Sequence, residues 1–151
     1  MRFFKDELGH EWGLHIDVGT IARIRREYAV DLSKVLASRE AIEELSGDVV
    51  KLVDVLWGLV EPQAKTAGIN AEAFASRLLG DSIEEAVNAL IEAIIDFFPL
   101  RRRELLRQIW SKGRELNEAK LSEIEKQISG ALLQDTQQLP ESIPISSVSE
   151  K

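Results

Sequence analysis

The chain has two histidines, His10 and His15, and their side chains have the widest chemical range in the sequence. Together they could hold a metal ion, or one of them could act as a general base near neutral pH. They are five residues apart in a segment with strand-like alternation, which places them on opposite faces of a strand. The chain has no cysteine that could add a thiolate ligand. The sequence therefore predicts no metal site and no cofactor.

Carboxylates are numerous, and adjacent pairs occur at positions 43–44 and 84–85. Adjacent side chains diverge on a helix, so these pairs are typical of a solvated face rather than of an acid–base site. Asp54 and Glu61 differ, because their spacing of seven puts them on nearly the same side of an apolar helix. We expect them to pair with arginines of the first helix or of positions 101–103. With no G-x-S-x-G motif either, the sequence predicts a protein without catalytic activity.

Arginines form two clusters that favour an alternative function, a small nucleic-acid-binding regulator. One cluster comprises Arg23, Arg25 and Arg26, and the other lies at positions 101–103. Against this alternative, the formal net charge is −7 and the sequence pI is about 5.0. Affinity for a phosphate backbone grows with the number of cationic contacts, so nucleic acid is disfavoured as a partner. A non-catalytic accessory subunit of an enzyme is a further alternative.

Length and composition indicate an ordinary globular protein. The 151 residues are 44% hydrophobic and 30% charged, which suits one buried core. A chain without cysteine is typical of a reducing compartment, so we expect a cytoplasmic location. The most apolar run, over positions 49–60, is short for a membrane span and contains Lys51 and Asp54, which predicts no membrane insertion.

Residues 1–17 have the pattern of a β-hairpin. Trp12, Leu14 and Ile16 alternate with small or polar residues, and the turn-prone segment DELGH would return this strand against Phe3 and Phe4. An isolated pair of strands is only marginally stable in water. We therefore expect the hairpin to pack on the helices that follow it.

The remaining periodicity predicts a mainly α, single-domain bundle of about six helices over positions 1–133, hairpin included. The helix over 49–60 is apolar on almost every side, which is typical of a central helix, and Pro62 is expected to end or kink it. Asp81 and Glu84 have the spacing of a capping box. Other predicted caps are Asp31, Ser38, Asn70 and Gly68.

The last predicted helix carries a narrow apolar stripe, which is suited to binding a groove or a partner. Its members are Leu116, Leu121, Ile124, Ile128 and Leu132. Beyond it, positions 134–151 combine Gln, Ser and Pro with isolated hydrophobic residues, and this composition predicts a flexible tail.

Several segments in this order resemble the tail assembly chaperones of long-tailed phages and prophages. They are the hairpin with its Trp strand, IARIRREYAVDL, LVDVLWGLVEPQAKTAGI, FASRLLGDSIEEAVNALIEAIIDFFP and the basic start of the last helix, together about positions 3–106. The resemblance implies a small cytoplasmic helical protein that binds the tape-measure protein, keeps it soluble and helps to recruit tail-tube subunits. It implies no catalytic residues.

The same resemblance implies where a protein partner would bind. The expected surface is an apolar groove beside Val53, Leu56, Trp57 and Val60, together with the stripe of the last helix. Self-association through these residues is a second use of the same surface. The neutral alternative for the stripe is that it packs back on its own domain.

Overall fold

The chain forms two β-strands, six α-helices and one 3-10 helix within residues 1–142, the part whose secondary structure the computed structural model describes; side chains are described for residues 1–132. This mainly helical architecture with an N-terminal hairpin confirms the predicted fold class. The elements are β1 Arg2–Lys5, β2 Glu11–Leu14, α1 Val18–Tyr28, the 3-10 helix Leu32–Ala37, α2 Arg39–Gly47, α3 Val49–Ala67, α4 Ala71–Ser76, α5 Asp81–Phe97 and α6 Leu100–Ser142.

The two strands pair antiparallel and pack on the helices, as the sequence predicts. Phe4 lies opposite Trp12, and both side chains are buried. The Trp12 ring meets Phe74 of α4 edge to face, with 5.0 Å between centroids. The Gln63 side chain of α3 bonds the backbone of Gly13, accepting from its N–H at 2.9 Å and donating to its carbonyl at 2.6 Å. Gln63 therefore continues the hydrogen bonding of β2 and anchors the hairpin on α3.

Helix α3 does not end at Pro62, which was one of the two outcomes that the sequence predicted there. It continues to Ala67, where Gly68 adopts a left-handed φ of +72° and caps it. Proline has no N–H to donate to the carbonyl four residues earlier, which here belongs to Gly58. Arg23 of α1 supplies the missing donor, because its Nη1 lies 2.7 Å from the Gly58 oxygen. A tertiary hydrogen bond thus replaces the one that Pro62 removes.

This substitution of donors predicts a coupling between positions 23 and 62. In the natural chain, Arg23→Ala should cost about 1–2 kcal/mol of unfolding free energy, because the Gly58 carbonyl loses a charged donor. In a Pro62→Ala chain the backbone N–H of residue 62 can bond Gly58, so the same change should cost less. Urea unfolding of the four chains of this double-mutant cycle measures the difference. Equal costs in both backgrounds would contradict the role given to Arg23.

The helix caps follow the sequence at four of the positions predicted. Asp31 caps the 3-10 helix, Ser38 caps α2 and Asn70 caps α4, each accepting a hydrogen bond from a backbone N–H of the first turn. Gly68 is the fourth. Asp48 caps α3 in the same manner as the other N-caps.

The predicted capping box of α5 is wrong. The N-cap is Gly80 with φ +59°, no side-chain cap bond forms, and Asp81 is already the first helical residue. The nearly buried hydroxyl of Ser82 accepts from the N–H of Leu79 at 2.9 Å and donates to its carbonyl at 2.7 Å. Ser82, and not the predicted Asp81, therefore bonds the backbone just before α5.

The chain divides into two compact units, Met1–Arg107 and Gln108–Lys151. The boundary lies inside α6, where residues 111–132 are all exposed and bury no side chain in a core. The predicted domain over positions 1–133 stays a prediction. Helix α6 continues through residues 134–142, the first part of the predicted flexible tail. Positions 143–151 lie outside the described residues, and the tail stays a prediction.

Candidate partner-binding surface

The four α3 residues expected to line a groove do not form an accessible set. Leu56 and Val60 have no exposed surface and belong to the core. Val53 and Trp57 are half-buried, and the Trp57 ring lies 5.7 Å from the Phe74 ring between centroids. This face of α3 is covered because α1, α2, α4, α5 and β2 all pack on the helix. Leu56 and Val60 therefore belong to the packed core, whereas Val53 and Trp57 keep part of their surface exposed.

The five α6 residues of the predicted stripe are all exposed. The exposed fractions are 58% for Leu116, 59% for Leu121, 49% for Ile124, 53% for Ile128 and 59% for Leu132. Ile109, on the same helix, is 60% exposed. Single exposed hydrophobic residues are common on protein surfaces, but a series along one helix is typical of an interaction site.

Helical geometry separates these side chains into two faces. Successive residues turn by about 100°, so Leu121, Ile124 and Ile128 fall within one sector of about 60°. Gly113 and Asn117 fall in or beside that sector, and we call these five residues the seam face. Ile109 and Leu116 point about 90° away from it, and we call them the flank face. The predicted stripe includes Leu116, but the helical angle places this residue on the flank face.

Trp110 lies near the same seam and is half-buried. Its indole Nε1 is buried, and within the described residues no hydrogen-bond partner reaches it. Buried indole N–H groups usually have a partner.

The arginines proposed for nucleic acid are largely engaged within Met1–Arg107. Arg23 bonds the Gly58 carbonyl, and Arg103 Nε lies 3.2 Å from the Phe98 oxygen. The Arg102 guanidinium lies 4.7 Å from the centroid of the Phe98 ring. These contacts orient the cations toward neighbouring elements of their own chain. The nucleic-acid alternative stays a prediction.

A fourth arginine, Arg107, belongs to a charge network around Asp96 of α5. The Asp96 carboxylate accepts from Arg2 Nε at 2.7 Å and from Arg107 Nη2 at 2.8 Å. The hydrogen bond from Arg2 holds the pKa of the Asp96 carboxyl below its usual value, although partial burial acts in the opposite direction. The network ties β1 and the start of α6 to the end of α5.

The remaining candidates for chemistry are dispersed. The His10 ring packs on the Trp12 ring with 4.3 Å between their centroids, while His15 Nε2 lies 3.6 Å from Asp17 Oδ2. Asp54 is exposed, and Glu61 pairs with Lys65 at 3.0 Å instead of with an arginine. Across the side chains that the structure describes, His, Asp and Glu do not gather into a group of three or more that could hold a metal ion.

Sequence reasoning missed Asp6, whose side chain is fully buried. Its Oδ1 accepts from the N–H groups of Leu8 at 3.0 Å and His10 at 2.9 Å, and its Oδ2 accepts from Trp12 Nε1 at 3.0 Å. Arg77 Nη1 lies 3.6 Å from Oδ2. An Asp at the start of a turn containing Gly9 was the available signal, since such side chains often bond the backbone two residues ahead. The arrangement is structural, because both oxygens accept hydrogen bonds from the chain's own donors.

Comparison with known proteins adds no assignment: neither protein-family models, nor curated proteins, nor solved structures give a significant match to this chain. Among the helices that the structure describes, none combines the length and apolar character needed to cross a membrane.

Proposed function

We propose that this chain is a binding protein that recognises helical segments of a client through α6, and that the client is the tape-measure protein of a phage tail. The observation that carries the proposal is the series of large apolar side chains in α6 that are about half exposed. Amphipathic helices bind one another through residues at such spacing. The nature of the client rests on the resemblance of positions 3–106 to tail assembly chaperones. A sequence without cysteine supports action in the cytoplasm.

The exposed area is of the right size for reversible binding. Burying a complete Leu or Ile side chain contributes roughly 1.5–3 kcal/mol, so burying the exposed half contributes roughly 1 kcal/mol each. Several such side chains, with polar contacts around them, support binding that is weak enough for a chaperone to release its client. A client helix held in this way would keep its own apolar stripe away from other copies, which is how binding would maintain solubility.

Co-expression tests this function. A tape-measure fragment from the same gene cluster should be mainly insoluble alone and should become mainly soluble and co-purify when this chain is present. Leu116→Glu and Ile124→Glu each place a charge on one face of α6 and should reduce the recovered fragment several-fold. The matched control is Ser122→Glu, which adds the same charge to an exposed residue away from both faces. A fragment that stays insoluble with the natural chain would contradict the proposed client.

A further inference from the structure

Two pairs of seam-face positions are spaced eleven residues apart. Gly113 and Ile124 are eleven residues apart, and so are Asn117 and Ile128. Eleven residues complete three turns of about 3.67 residues, close to the 3.6 of a straight helix. The face therefore runs nearly parallel to the helix axis, so a partner helix can follow it without strong supercoiling.

We propose that, without a client, the seam face binds the seam face of a second copy, with the two α6 helices antiparallel and the two-fold axis at Asn117. In this register residue i lies opposite residue 234 − i, so Gly113 faces Leu121 of the second copy. Nothing lies within 4 Å of the position of a Gly113 Cβ, which leaves room for a large side chain there. The 59% exposed Leu121 supplies that side chain.

The polar residues of α6 agree with this register. Asn117 faces Asn117 of the second copy at the two-fold axis, where the two side-chain amides can bond each other. A polar residue among apolar ones in a helix pair fixes the register. Arg114 and Glu118 project from the same side of the seam, and in the antiparallel pair each Arg114 lies beside Glu118 of the second copy. Such flanking pairs select partner and orientation.

Charge balance permits self-pairing in this segment although the whole chain carries −7. Residues 108–132 contain four basic and four acidic side chains, so their net charge is zero. Two such segments therefore approach without net repulsion. A parallel pair would instead set Gly113 against Gly113, which leaves a gap between the helices at that level.

Sedimentation of the full chain at tens of micromolar tests the pairing. We expect a species with twice the 17.0 kDa mass of one chain. Ile124→Glu should shift it to the mass of one chain with unchanged circular dichroism, and Ser122→Glu should leave the pair intact. A single-chain mass for the natural protein at 100 µM, or a pair that survives Ile124→Glu, would overturn the inference.

Disulfide crosslinking tests the orientation, and the absence of native cysteine makes it free of background. Asn117→Cys should crosslink to itself. Leu121→Cys should not, because the two copies of position 121 lie about 12 Å apart along the axis at 1.5 Å per residue. A mixture of Gly113→Cys and Leu121→Cys chains should give the mixed product. Self-crosslinking of Leu121→Cys would show a parallel pair and overturn the register.

Different measurements test the self-pairing and the proposed chaperone function. Mass and crosslinking are measured without a client, so they report self-pairing alone. Rescue of the tape-measure fragment is measured by recovery of soluble fragment. A chain that rescues the fragment but sediments as a single copy would keep the function and lose the pairing, and the reverse result would do the opposite.

Discussion

Gly58→Ala should destabilise the protein by about 1–3 kcal/mol, the usual cost of adding a methyl group to a packed core. Gly58 is buried in α3 where α1 crosses it. A Cβ at this position would overlap Ile24 Cδ1 and would lie 2.7 Å from Tyr28 Cε2. Ile24 has no exposed surface, so its side chain has little room to move aside.

The usual effect of this substitution has the opposite sign, which makes the test sharp. Alanine favours the helix over glycine by about 1 kcal/mol when nothing else changes. Gly47→Ala is the matched control, since nothing lies within 4 Å of the added Cβ at the end of α2. Urea unfolding should give a lower midpoint for Gly58→Ala and an equal or higher one for Gly47→Ala. A Gly58→Ala chain as stable as the control would show that α1 is not packed this closely.

Some parts of the fold could be predicted from the sequence and others could not. Caps such as Asp31, Ser38 and Asn70 were predictable because each depends on a side chain and a backbone N–H within three residues. The passage of α3 through Pro62 was not, because the compensating donor, Arg23, comes from another helix. A sequence pattern predicts hydrogen bonds between residues that are close in the chain. Arg23 is 39 positions before Pro62, and no pattern near Pro62 indicates it.

The candidate partner-binding residues show the same limit of sequence-based prediction. The exposed Leu121, Ile124 and Ile128 were predictable because a thin apolar stripe among charged residues cannot fill a core. Leu56 and Val60 have the same residue types in a helix that is apolar all round. Apolar character alone does not tell a groove from a core, and only the packing of five elements on α3 decides the matter.

Asp6→Asn should lower the unfolding free energy at pH 7 by about 3 kcal/mol, because breaking a buried charge network removes several charge-assisted hydrogen bonds together. One oxygen of the amide can still accept from Leu8 and His10. The other position becomes an NH₂ group that meets Trp12 Nε1 and Arg77, both of them donors. This conflict lies beside Trp12, the largest fully buried side chain, so relaxation is restricted.

The same carboxylate gives the loss a defined pH dependence. Burial would raise the pKa of the Asp6 carboxyl, but the bonds from Trp12, His10 and Leu8 and the charge of Arg77 outweigh it and hold the pKa below its usual value. A group whose pKa is lower when folded stabilises the protein above its unfolded pKa, about 3.9, and loses that contribution as the pH falls through the folded pKa. The difference between the natural chain and Asp6→Asn should therefore be full at pH 7 and shrink below pH 4.

Asp17→Asn provides the matched control for this measurement. Asp17 also has a lowered pKa, held down mainly by hydrogen bonds from Thr20, but it is an exposed N-cap that asparagine can replace. We expect its variant to unfold within about 0.5 kcal/mol of the natural chain at pH 7. Urea titrations at several pH values compare the three proteins. If Asp6→Asn behaved like Asp17→Asn, or if its deficit persisted unchanged at pH 2, the buried carboxylate would not be the group that joins the hairpin turn to Arg77.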